Sequence, residues 1–190
     1  RNYLPWPKAQ DRASAAAAWR EALAGLEEAT QVAPQDRART PVAPEQVTLA
    51  LSEQLTAALT REARRQGLTL NTVLQAAWAI LLGRMTGRND VVFGVTVAGR
   101  PPEIAGIESM VGLFIITLPL RVKLAPGQPL IELLKPPQDS QSRLMAHQHL
   151  GLTEIQGLVG LGELFDTLVV FENYPVERSA VDIEARGVRL

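Results

Sequence analysis

Cysteine is absent from the 190 residues. That excludes a disulfide scaffold, a cysteine-ligated zinc and a cysteine nucleophile. It fits a reducing compartment, and a cytoplasmic location is expected. Net charge is nearly absent too: 19 Lys and Arg stand against 20 Asp and Glu, a formal charge of -1. No broad basic field is left to hold a nucleic-acid backbone. Long apolar runs are also missing. Met110 to Leu120 is broken by Gly112, Thr117 and Pro119, and it falls short of the roughly 20 residues that span a bilayer. Neither nucleic acid nor a membrane is expected as a partner. Arg1 to Pro7 has no initiating Met and no signal-peptide core, so the sequence reads as a piece of a longer polypeptide. The composition that remains, 46% hydrophobic and 21% charged, is that of a globular domain or lobe.

Hydrophobic periodicity predicts alternating helices and strands. Ala15, Ala18, Trp19, Ala22, Leu23 and Leu26 recur at helical spacing within Asp11 to Glu28. A proline-bearing connection follows, and Val47, Leu49 and Leu51 alternate as a half-buried strand would. Ser52 is placed to cap a helix that Gly67 ends. Asn71 to about Met85, stopped by Gly87, is apolar nearly all round, which predicts a helix in the middle of a domain. Strands are expected over Val91 to Val97 and Leu113 to Val122, where Pro119 implies an edge or a bulge. Leu130 to His147 has helical character that Pro136-Pro137 should kink or split. A short helix around Thr153 to Leu158 and a strand over Asp166 to Phe171 complete the pattern.

Familiar catalytic constellations are missing. His147 and His149 stand two apart, whereas a helical metal pair is spaced by four. No metal site is expected. Neither a G-x-S-x-G nucleophile elbow nor a phosphate-binding G-x-x-x-x-G-K-[ST] loop occurs. Chemistry alone points to half of a site or a binding surface.

Four ordered motifs are more specific. Asp90, Gly94, Gly99 and Arg100 fit D-x-x-x-G-x-x-x-x-G-R; Val111, Gly112, Phe114, Thr117 and Arg121 fit V-G-x-F-x-N-T-x-x-x-R. His147, Gln148, Glu154 and Ile155 fit H-Q-x-x-x-x-x-E-I; Leu164, Phe165, Asn173 and Pro175 fit L-F-x-x-x-x-x-x-x-N-x-P. In order and separation they resemble the later motifs of condensation domains from nonribosomal peptide synthetases. Ile116 replaces the family's Asn, Gly160 to Glu163 replaces an Arg-rich run, and Pro136-Pro137 interrupts a helix the family keeps continuous. The family's catalytic H-H-x-x-x-D-G does not occur.

The resemblance implies an α/β fold, one lobe of a two-lobed chloramphenicol-acetyltransferase-like architecture, with a mixed β-sheet flanked by helices. Residues 1–44 would be the opening helix and the linker between lobes; residues 45–190 would be the C-terminal lobe, truncated at both ends. The implied activity is peptide-bond formation between donor and acceptor groups held as thioesters on carrier proteins, within secondary metabolite biosynthesis. The 4'-phosphopantetheine arms belong to the carriers, and no cofactor is bound directly. Implied partners are the N-terminal lobe, both carrier proteins and a neighbouring adenylation domain. The motif over Val111 to Thr117 favours condensation over heterocyclization or epimerization.

With no catalytic residue in this piece, it is expected to be inactive alone. Gly112, Phe114, Ile116 and Thr117 would line the substrate tunnel, although sheet packing explains them as well. Arg100 would support the catalytic loop by pairing with the Asp of the missing motif, or stand at the surface. His147, Gln148 and Glu154 suit helix capping and lobe packing better than substrate contact; Arg121, Asn173 and Pro175 have no assigned role. Two other readings stay open: a non-catalytic carrier-docking module, and a stand-alone coenzyme A-dependent acyltransferase.

Overall fold

The computed structural model describes residues 10–33, 43–101 and 103–172. The β-branched stretch Asp90–Ala98 forms the central strand, β1, of a three-stranded sheet. It pairs antiparallel with β2 (Ile115–Lys123) and parallel with β3 (Leu168–Val169), giving the order β2-β1-β3. The sheet is mixed, as expected. Backbone bonds from Leu124 N to Asn89 O and from Gly99 N to Phe114 O bracket the β1–β2 ladder. Antiparallel ladders alternate bonded and non-bonded pairs, so Pro119, opposite Gly94, occupies a non-bonded pair. Its missing N–H costs no ladder bond and instead removes a donor from the outer edge of β2. The nine pairs run without a bulge.

Helices pack around this sheet. In α1 (Arg12–Ala22), Asp11 Oδ1 accepts from Ser14 N at 3.0 Å. In α2 (Glu53–Arg65), Ser52 Oγ accepts from Leu55 N at 3.2 Å, and Gly67 turns the chain out at φ 69°. Helix α3 (Leu70–Thr86) is capped by Thr69 and stopped by Gly87 in the left-handed region. Helix α4 (Leu130–Leu144) runs into a 3-10 turn, Met145–His147, and α5 (Leu152–Val159) follows. Among the described residues no helix is long and apolar enough to cross a membrane.

Four expectations need correction. Helix α1 stops at Ala22, not Glu28, because Gly25 adopts φ 70° and Arg121 takes the carbonyls of Ala22 and Ala24. Residues 43–52 form no strand: Val47 is 93% and Leu49 84% exposed. Alternation makes a strand only beside another that completes its hydrogen bonds, and none stands there among the described residues. Helix α4 is not split at Pro136-Pro137. Gln138 ties the residues after the pair to the α2–α3 turn, accepting from Thr72 Oγ1 at 2.7 Å and donating to Gly67 O at 3.0 Å. Lastly, α3 is not enclosed, since Ile80, Leu81 and Met85 are exposed.

The core lies on both faces of β1. Val91, Val92, Phe93 and Val95 are buried with Trp19, Leu82, Leu120, Ile155 and Leu164. Thr30, fully buried, accepts from Val92 N at 2.9 Å while its own N–H reaches Leu164 O, stitching the segment after α1 to the sheet. Gly94 permits the closest approach: a Cβ there would lie 2.6 Å from Phe165 Cε2 and 2.8 Å from Leu168 Cδ1.

Gly94→Ala should therefore overpack the β1–β3 contact and lower stability by about 1–3 kcal/mol. Gly157→Ala, on α5 with nothing within 4 Å of its added Cβ, should raise stability by about 0.5–1 kcal/mol. Denaturant unfolding of both variants checks the pair.

Candidate functional site

At the end of β1 the chain turns through Gly99 into Arg100, beside the start of β2. A Cβ on Gly99 would sit 2.9 Å from Phe114 O and 3.3 Å from Ile116 Cγ2, so glycine lets the two segments close together. The Arg100 guanidinium carbon lies 4.1 Å from the centre of the Phe114 ring, a cation–π contact. Its Nη1 donates to Ile107 O and, at 3.1 Å, to Met110 O. Both of these bonds use Nη1, and Arg100 thereby holds the loop that leads to Gly112. Gly112 in turn packs against Phe114, where an added Cβ would meet Cε2 at 3.1 Å.

Four sequence-predicted residues, Arg100, Gly112, Phe114 and Ile116, are thus gathered at one end of the sheet. Thr117 follows along β2, opposite Thr96. Around them Val111, Leu113 and Ile115 are exposed at 103%, 88% and 56%. These open apolar side chains stand beside the Arg100 guanidinium.

Arg121 lies away from this group, about 13 Å along β2 from Thr117 at the usual rise per residue. Its Nε and Nη2 donate to the two Asp90 carboxylate oxygens at 2.9 and 2.6 Å. Its Nη1 donates to Ala24 O at 2.7 Å. The side chain is 8% exposed. This bidentate pair fastens the β1–β2 ladder to the carbonyl end of α1, a structural role that the motif pattern alone did not disclose.

The His-Gln motif forms a third group. His147 O accepts from Trp19 Nε1 at 3.2 Å, and the His147 and His149 rings meet edge-on with centres 6.4 Å apart. Glu154 accepts from Gly151 N at 3.3 Å and pairs with Arg12, so it caps α5 and ties it to α1. Gln148 Oε1 is buried without a hydrogen-bond partner among the described residues. An open groove of about 730 Å³ between α1, β2 and α4 is lined by both His147 and Arg121, and it excludes Gly112 to Thr117. Asn173 and Pro175 lie outside the described residues. Sequence reasoning missed Thr30, Gln138, and the Ile107 and Met110 carbonyls that hold Arg100. Backbone acceptors leave no trace in residue identity.

A family profile described as Condensation domain matches residues 1–188. The chain is 40% identical to surfactin synthase subunit 3 of Bacillus subtilis, over 93% of this chain and 14% of that protein. It is 36% identical to bacitracin synthase 3 of Bacillus licheniformis, over 97% of this chain and 3% of that protein. Among solved structures it is similar to the first condensation domain of the CDA synthetase, with TM-score 0.70 and 26% identity over 90% of this chain and 37% of that one. It is also similar to the X-domain in a complex with OxyB from teicoplanin biosynthesis, with TM-score 0.66 and 30% identity over 80% of this chain and 34% of that one. The chain spans a small part of the curated relatives and about a third of the solved domains.

One group at the site titrates away from its ordinary value. Burial holds the His149 imidazole below the usual histidine range, with the His147 charge acting the same way and backbone contacts at Asp11 and Ala146 opposing it. The unfolded chain therefore takes up this proton at a higher pH than the folded one, and below about pH 6.5 it binds more protons. The melting temperature should fall as pH drops from about 7.5 to 5.5, and less steeply in His149→Gln. Equal slopes in calorimetric melts of the two proteins would remove His149 as the cause.

Proposed function

Because the chain belongs to the condensation-domain family of nonribosomal peptide synthetases, we propose that residues 45–190 are its C-terminal lobe, with residues 1–44 the opening helix and inter-lobe linker. The intact domain then forms amide bonds in the cytoplasm. The acceptor amine attacks the donor thioester carbon, the C–N bond forms, the C–S bond breaks, and the proton lost by nitrogen ends on the departing thiol. No H-H-x-x-x-D-G occurs in the 190 residues. The base that handles this proton belongs to the companion lobe, and this piece does not catalyse the reaction alone.

What these residues contribute is a wall and a brace. Gly112, Phe114, Ile116 and Thr117 line the tunnel along which carrier-borne phosphopantetheine arms bring the thioesters. Ile116, where the family has Asn, makes that wall apolar at one position. Donor and acceptor carriers and an adenylation domain are the neighbours this role requires. Arg100 supports the catalytic loop by taking the Asp carboxylate of the companion lobe. The observation that carries this reading is the geometry of Arg100: Nη1 is engaged by two carbonyls and the guanidinium carbon lies 4.1 Å from the centre of the Phe114 ring. The Nε–Nη2 edge then offers two parallel donors to a carboxylate, a geometry Lys cannot copy.

A second reading is a non-catalytic docking module. It is favoured by the likeness to the X-domain solved in complex with OxyB.

In the condensation domain containing this chain, Arg100→Ala should cost roughly 3–5 kcal/mol of stability, the usual cost of leaving a buried carboxylate unpaired. Turnover should fall with it. Arg100→Lys should keep more of the stability and still lose turnover. Thermal melts and product assays that match wild type in both variants would return Arg100 to the surface.

A further inference from the structure

The outer side of α3 presents a second surface, independent of the catalytic reading. The helix is apolar nearly all round, yet Ile80, Leu81 and Met85 are 38%, 46% and 55% exposed. Beside them lies an open groove of about 550 Å³ between the last turns of α3 and the loop that leads from β2 into α4. Ile80, Leu124, Leu130 and Leu133 give it an apolar lining, with Leu130 56% exposed.

Its charge has one sign. Arg84 and Arg88 line it and no carboxylate does. Arg88 also reaches Glu28, whereas Arg84 is in none of the ion pairs among the described residues. Helix ends do not set this sign, because α3 closes on Gly87 and α4 opens at Leu130 in the same groove, opposing one another. The guanidiniums do: Arg84 carries no ion pair among the described residues, and Arg88 is shared with Glu28.

Position separates the groove from the tunnel wall. It adjoins Asn89, at the Asp90 end of β1, whereas Gly112 to Thr117 stand at the Ala98 end. At the usual rise along a strand the two are about 26 Å apart. Two helices frame the groove, which suits a helix laid between them.

We propose that this groove docks an acidic amphipathic helix of a partner protein. The partner's apolar stripe covers Ile80 and Leu130, and its flanking carboxylates meet Arg84 and Arg88. Charge complementarity selects this partner over an uncharged or basic one.

The test uses the condensation domain containing this chain and a fluorescein-labelled helical peptide of about 18 residues, long enough to hold a helix. It carries Leu at i, i+3, i+4 and i+7 and Glu elsewhere; its counterpart carries Lys in place of Glu. Fluorescence anisotropy should show the Glu peptide binding at least about tenfold more tightly than the Lys peptide, with the preference shrinking as salt rises. Arg84→Glu and Ile80→Ser should each weaken it about tenfold, while Arg143→Glu, which lies outside the groove, leaves it unchanged. Circular dichroism and melting confirm that each variant is folded, and Arg84→Ala supplies a milder change at the same position. Equal affinity for the two peptides, no binding, or indifference to Arg84 and Ile80 would overturn the proposal. So would light scattering that finds a dimer dissociated by Ile80→Ser, which would assign the face to a second copy of the chain.

Discussion

β1 is buried on both faces and bonded along both edges, and the rest of the structure is arranged to satisfy it. Val91 to Val95 are all inaccessible. Every polar backbone group along that stretch needs a protein partner, because water cannot reach it. One edge is met by β2. The other edge is shared between β3, which takes Gly94 and Val95, and Thr30, whose hydroxyl accepts the Val92 N–H. A fully apolar residue at position 30 would leave that N–H buried and unpaired. Gly94 belongs to the same constraint, since a side chain there would push away the Phe165 and Leu168 groups that close the sheet.

Two arginines work at opposite ends of this strand and differ in kind. Arg121 has donors directed to Asp90 and to the carbonyls ending α1, and is almost wholly buried. Its charge is compensated within the chain, and its effect is to fix the angle between α1 and the sheet. Arg100 is held by carbonyls and an aromatic face, none of which carries a full negative charge. A guanidinium organised in this way can still engage a carboxylate elsewhere. The contrast is between a charge compensated within the chain and one held only by neutral groups.

Much of this is legible in the sequence wherever the signal is local. Asp11, Ser52, Gly67 and Gly87 mark helix ends because capping and left-handed turns depend on the residue itself. β1 and β2 are legible from β-branched content, and the motif spacings locate Arg100 and Gly112 without any geometry. What is not legible depends on partners distant in the chain. Val47 to Leu51 alternates as a strand does, but alternation says nothing about whether a neighbouring edge exists. Pro136-Pro137 reads as a break, yet Gln138 and buried leucines on either side hold the helix together. The apolar character of α3 reads as enclosure, whereas Ile80, Leu81 and Met85 are exposed, because apolar content does not say which face other elements cover. Arg121 is visible as a motif residue, but its pairing with Asp90 emerges only when the strands are set in register.

The family is established by matches that run almost the length of the chain, the chain covers about a third of a solved condensation domain, and the proposed chemistry belongs to the condensation domain that contains the chain. The most direct measurement supplies that condensation domain with a donor acyl group on one carrier protein and an acceptor amino acid on another. Intact-mass spectrometry then follows the acceptor carrier. Transfer of the donor group, with its mass gained by the acceptor carrier as an amide, is the result the account predicts. Stable loading of both carriers with no transfer, while they still bind the domain, would contradict it and leave a docking module.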